Sequence, residues 1–195
     1  MNVDQTDAGT ANRILDAAEA LAQTRGFNGF SYAHIAKQLG ITTASLHYHF
    51  PSKAQLGEAL IKRYAERFAS ALEEIDGGEA DARDKLAAYA ALYSGVLDDG
   101  RMCLCGMLAA EYETLPKAMG NAIVRFFDAN HAWLTHVLAQ GRTDETLKFD
   151  GDPGEGAQVI LGGLEGALLV ARPYRDPARF HTAAKRLLAA FARAT

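Results

Sequence analysis

The chain has 195 residues, 49% hydrophobic and 23% charged, the balance of a globular protein whose core needs no disulfide staples. A net charge of −4 argues against a chain that coats nucleic acid along its whole length. No apolar run approaches the roughly 18 residues needed to cross a bilayer, and the polar start lacks an export signal, so a cytoplasmic protein with no membrane partner is expected.

In chain order, the first helix is predicted over residues 10–25, with Thr10 as N-cap, Ile14, Leu15, Ala18, Leu21 and Ala22 on one face, and Gly26 closing it. A second follows Ser31, carries Ile35, Ala36 and Leu39, and stops at Gly40. The third, over residues 43–49 with Thr42 as cap, is only about two turns long. The fourth starts after Ser52 and runs to about residue 75. A boundary loop around Gly77, Gly78, Glu79 and Asp81 precedes helices over residues 82–97, 102–113, 116–140, 155–171 and 177–192. No stretch alternates at the period of a strand, so the fold is read as all-α. Residues 1–55 form a three-helix head, and residues 56–195 form a helical body of about six more helices.

The head is mildly basic: six bases (Arg13, Arg25, Lys37, Lys53, Lys62, Arg63) face three acids (Asp16, Glu19, Glu58) over residues 10–63. An anionic partner suits that head. The two short helices joined by Gly40, Ile41 and Thr42 make a helix-turn-helix pattern. In the second of them only Leu46 is an internal apolar anchor, with Phe50 just beyond. Thr43, Ser45, His47 and Tyr48 are left to face outward. Hydroxyls and imidazoles of this kind contact base edges and phosphates in a major groove. Ser31, Thr42, Thr43, Ser45, His47, Tyr48 and Lys53 are therefore the candidate DNA-binding residues, Lys53 as a phosphate ligand at the start of the fourth helix. A short helix with a solvated polar face would show the same pattern.

The run from Gly40 to Phe50, followed by Ser52, Lys53 and Leu56, resembles the TetR family signature, as do Gly26-Phe27 and Ile35-Ala36. The resemblance is dense over residues 14–60 and continues as helix pattern beyond. Two positions depart from it: Ala44 stands where the family usually has Gly, and His47 where it commonly has Tyr. The resemblance implies a DNA-binding repressor on a palindromic double-stranded operator. It further implies a C-terminal domain that binds a small-molecule inducer, and a homodimer through the last two helices. No catalysis, cofactor or metal is expected.

Candidate inducer-site side chains are Tyr89, Tyr93, Met107, Leu108, Tyr112, Phe127, Trp133 and Glu165, each of which also suits a plain core. The segment from Cys103 to Glu111 is similar to a Gly-Cys-x-x-Gly-x-Leu-x-x-Glu stretch of an electrophile- and acrylate-responsive TetR subgroup. Cys103, Gly106 and Glu111 match; Met102 replaces the leading Gly, and Cys105 is extra. At a helix start beside Arg101, Cys103 is placed for a lowered thiol pKa and reaction with electrophiles; the other reading is a small buried hydrophobe. A metal site from Cys103, Cys105, His131 and His136 is disfavoured, because positions two apart on a helix diverge. The final helices carry Ile160, Leu164, Leu168, Leu187 and Phe191 with Gly162, Gly163 and Gly166, and so allow a close helix partner. A Cys/His enzyme or a helical adaptor without DNA binding are the alternatives; neither a nucleophile elbow nor a Gly-rich catalytic loop accompanies them.

Overall fold

The computed structural model describes residues 3–78 and 80–192, with side chains from residue 9 onward; Glu79 of the expected boundary loop lies outside the described residues. Nine α-helices are found among them: α1 (Val3–Arg25), α2 (Tyr32–Leu39), α3 (Thr43–His49), α4 (Lys53–Gly77), α5 (Ala82–Asp98), α6 (Leu104–Ala109), α7 (Lys117–Thr143), α8 (Pro153–Ala171) and α9 (Pro177–Ala189). Single 3-10 turns cover Tyr112–Thr114 and Arg172–Tyr174. None of the described helices is long and apolar enough to cross a membrane.

The chain packs as two compact units. The first comprises residues up to Glu66 together with Leu104–Val124; the second comprises Arg67–Cys103 and the chain from Arg125 on. The expected division at residue 55 differs from these units in two respects: the first unit runs on along α4 to Glu66, and it includes the segment carrying α6.

In the first unit Ile14, Ala18, Phe27, Ile35, Leu46, Leu56 and Leu60 are buried together with Leu104, Leu108 and Met119. Arg63 ties α4 to α1, with Nη1 2.8 Å from Asp16 and Nη2 3.0 Å from Glu19. The core of the second unit is built from Leu86, Tyr89, Tyr93, Phe126, Leu134, Leu138, Ile160, Leu164, Leu168 and Phe180. Its helices start where local chemistry supplies caps: Asp81 accepts from the N–H groups of Arg83 and Asp84, Asp152 from Gly154, and Asp176 from Ala178. Pro153 and Pro177 occupy first-turn positions that need no donor.

Four boundaries differ from expectation by three residues or more, one being the end of α7 at Thr143 and not at residue 140. The first helix begins at Val3, so Thr10 is internal and not its cap. The sixth helix ends at Ala109, because the chain tightens where Glu111 N–H donates to Leu108 O at 3.0 Å. The last helix ends at Ala189, and Ala192 instead pairs with Leu147 in an isolated antiparallel bridge.

Candidate nucleic-acid interface and buried polar cluster

Gly40 ends α2 in the left-handed region, at φ 67°, which a side chain rarely adopts. Thr42 then caps α3 by accepting the Ser45 N–H at 3.1 Å. Leu46 is fully buried and anchors α3. Opposite it, Thr42, Thr43, Ala44, His47 and Tyr48 are exposed and Ser45 is half-buried. Tyr48 stands 74% exposed, an aromatic ring with no place in the core. His47 packs its ring 4.7 Å from that of Tyr32 and holds Nδ1 3.3 Å from the Pro51 carbonyl. A hydrogen bond there requires the proton on Nδ1 and leaves Nε2 for an outside partner. The Tyr32 hydroxyl donates to Phe50 O at 2.6 Å, and burial pushes its pKa up to about 12. Ser31 sits exposed at the start of α2, its N–H donating to His34 Nδ1 at 3.0 Å.

Lys53 has internal partners. Its ammonium donates to the carbonyls of Phe27 and Phe30 and lies 4.5 and 4.4 Å from the centroids of their rings. Burial pulls its pKa below the ordinary lysine value, and the nearby Glu111 charge pulls the other way. Lys53 thus closes the turn between α1 and α2 with two of its three N–H donors.

The same turn is held from the other side by Glu111. Its carboxylate accepts from Phe27 N–H at 2.6 Å and from Asn28 N–H at 3.3 Å, and Asn28 Nδ2 donates to Thr114 Oγ1 at 2.7 Å. Gly26 has φ 82°, and a Cβ there would stand 2.7 Å from Glu111 Oε1. The motif glutamate thus acquires a role its sequence position did not reveal: it fastens the α6 segment to the helix-turn-helix.

In the second unit, Tyr89, Tyr93, Cys103 and Glu165 come together. Tyr89 Oη donates to Asn130 Oδ1 at 2.9 Å and lies 3.1 Å from Tyr93 Oη, which must then be the donor to it. Asn130 Nδ2 continues the chain to Phe126 O at 2.8 Å. Burial raises both tyrosine pKa values. Phe68 packs edge-on to Tyr89, Tyr93 and Phe126, and Trp133 stacks on Tyr89 at 5.5 Å. The Cys103 thiol hydrogen-bonds the Glu165 carboxyl, while Glu165 Oε1 is buried with no partner. Burial pushes the Glu165 pKa up to about 7, against a smaller opposing effect of the Cys103 hydrogen bond.

Of the remaining expected sensor residues, Phe127 is half-buried against Phe126, and Trp133 Nε1 donates outward to Asp76 at 2.8 Å. Cys105, Met107, Leu108 and Tyr112 belong to the first unit: Cys105 and Leu108 are fully buried, and Tyr112 lies 45% exposed. Cys103 is 1% exposed and directly precedes the six-residue α6; its partner is a carboxyl group. No three His, Cys, Asp or Glu side chains stand together as a metal site among the described residues. Asn130 was missed in the sequence; a lone amide four residues after Phe126 on an apolar helix face was its only signal.

Residues 14–60 match the family model for bacterial regulatory proteins of the tetR family, and residues 82–187 match that for the tetracyclin repressor-like C-terminal domain. The chain is 30% identical over 178 residues to the HTH-type transcriptional repressor NemR of Escherichia coli K12, covering 88% of each. It is 30% identical over 169 residues to the nucleoid occlusion factor SlmA of Vibrio atlanticus, covering 83% of this chain and 85% of the relative. A TetR family transcriptional regulator from Agrobacterium tumefaciens, solved by crystallography, superposes with a TM-score of 0.92 at 31% identity, covering 96% of this chain and all of that one. The chain belongs to the TetR family of bacterial regulatory proteins and is a DNA-binding transcriptional repressor.

Proposed function

We propose that this repressor grips a palindromic operator as a two-fold dimer in the cytoplasm. A small molecule or thiol-reactive compound that enters the cluster around Cys103 and Glu165 releases it. Its role is regulatory, not catalytic. The observation that carries the DNA reading is the polarity of α3: Leu46 is wholly buried, whereas Thr43, His47 and the 74%-exposed Tyr48 face solvent. A helix with one anchor and an outward polar face is what a groove admits. Dimerisation draws support from α8, whose outer stripe of Val159, Gly162, Gly166 and Leu169 is apolar and open: the two branched residues are 55% and 58% exposed, and a Cβ on either glycine would touch nothing. Two-fold pairing through α8 and α9 matches an inverted-repeat operator.

The sensing step follows from the Cys103–Glu165 pair. Cys103 passes its proton to the Glu165 carboxylate, and the thiolate bonds to an electron-poor carbon. With N-ethylmaleimide as reagent, the double-bond electrons shift onto the carbonyl, and the neighbouring ring carbon takes the proton back from Glu165. Anisotropy of a labelled duplex carrying the protein's own promoter tests this. N-ethylmaleimide is expected to release the unmodified protein and the Cys105→Ser variant but to leave Cys103→Ser bound. Equal release of Cys103→Ser would remove the thiol from the mechanism while leaving DNA binding intact.

A further inference from the structure

A cavity of about 500 Å³ in the second unit lies outside the two sites described above. Its walls include Asp98 at the end of α5, Arg101 in the following loop, Arg172 and Arg175 in the connection from α8 to α9, and Pro177 at the start of α9. Three arginines and one aspartate thus line it. Arginine does not relieve such crowding by losing its proton. Among the described residues, neither Arg101 nor Arg175 has a side-chain acceptor on the protein. Arg175 also holds φ 50° and ψ 37°, a left-handed backbone that favours glycine, so an arginine stands where a simpler turn residue would fit more easily. The amino end of the 13-residue α9 borders the same space and adds positive potential. The Asp176 carboxylate already takes the Ala178 N–H, so attraction comes from the guanidiniums and not from free backbone donors.

We propose that this cavity binds a compact anion with two or more anionic oxygens, a phosphate group or a polycarboxylate, held by Arg101, Arg172 and Arg175. Planar guanidiniums engage such oxygens in pairs, and a volume of this size suits a small metabolite. The site shares no residue with the Cys103–Glu165 cluster and does not rest on the sensing mechanism. Arg101 lies two residues before Cys103, so a bound anion would restrain the loop that leads into α6.

Isothermal titration of the full chain at low chloride, with inorganic phosphate in one arm and citrate in the other, tests the proposal. One site per chain is expected for at least one probe, and the arm that saturates identifies the source of the oxygens. Arg101→Ala and Arg175→Gly should each weaken binding at least about tenfold, while Lys148→Ala leaves it unchanged. Because glycine suits the turn at position 175, loss of binding in that variant is not a folding defect. Failure of both probes to saturate would overturn the proposal, as would binding that survives both arginine replacements.

Discussion

Glu165 is the residue on which chemistry and stability meet. Its carboxyl is buried, one oxygen lacks a partner, and its pKa stands at about 7 where the ordinary value is 4.5. The folded state therefore holds this proton more tightly than the unfolded chain does. Its contribution to stability is complete below about pH 4.5 and is lost as pH rises through 7, by about 3 kcal/mol in all. Above that, folding must bury a charge beside Cys103, Tyr89 and Tyr93. Thermal unfolding between pH 5 and pH 8 should show a falling midpoint that flattens in Glu165→Gln; identical slopes in the two proteins would mean that the carboxyl ionises normally. Glu165 was legible in the sequence as a polar tip on an apolar helix. Its partnership with Cys103 was not, since the two are distant along the chain and meet only through packing. Lys53 also has partners that the sequence does not reveal. A lysine at a helix start reads as a phosphate ligand, and nothing local announces that the Phe27 and Phe30 carbonyls wait for it.

Helix positions were legible wherever a residue acts on its own backbone. Gly40, Thr42, Asp81, Pro153 and Pro177 each set a terminus by conformation or capping, so α2, α3, α5, α8 and α9 start or stop within two residues of expectation. The sixth helix was overextended because its end is fixed by a distant contact, the Glu111 carboxylate on the Phe27 and Asn28 N–H groups. On α8, small residues play two roles that the sequence does not separate. Gly163 faces inward, where a Cβ would stand 2.6 Å from Leu187, whereas Gly162 and Gly166 open outward. If the outward stripe is the dimer seam, Gly162→Leu should convert the protein to a monomer by sedimentation while retaining helical content. A dimer of unchanged stability would place the seam elsewhere.

At the scale of the molecule, all-helical architecture was readable from period and punctuation. The assignment of residues 104–124 to the first unit was not, because it depends on Leu104, Leu108 and Met119 joining the core of α1 to α4. That assignment puts a segment from the middle of the chain in direct contact with the turn between α1 and α2. The central claim is that α3 reads DNA through its exposed face. The affinity of the whole protein for its promoter duplex and for random duplex, compared between the unmodified chain and Tyr48→Ala across a salt series, tests it most directly. A preference for the promoter in the unmodified protein, with Tyr48→Ala losing about 1–3 kcal/mol of promoter binding, is the expected result. Equal binding of both duplexes, or a Tyr48→Ala variant indistinguishable from the parent, would contradict it.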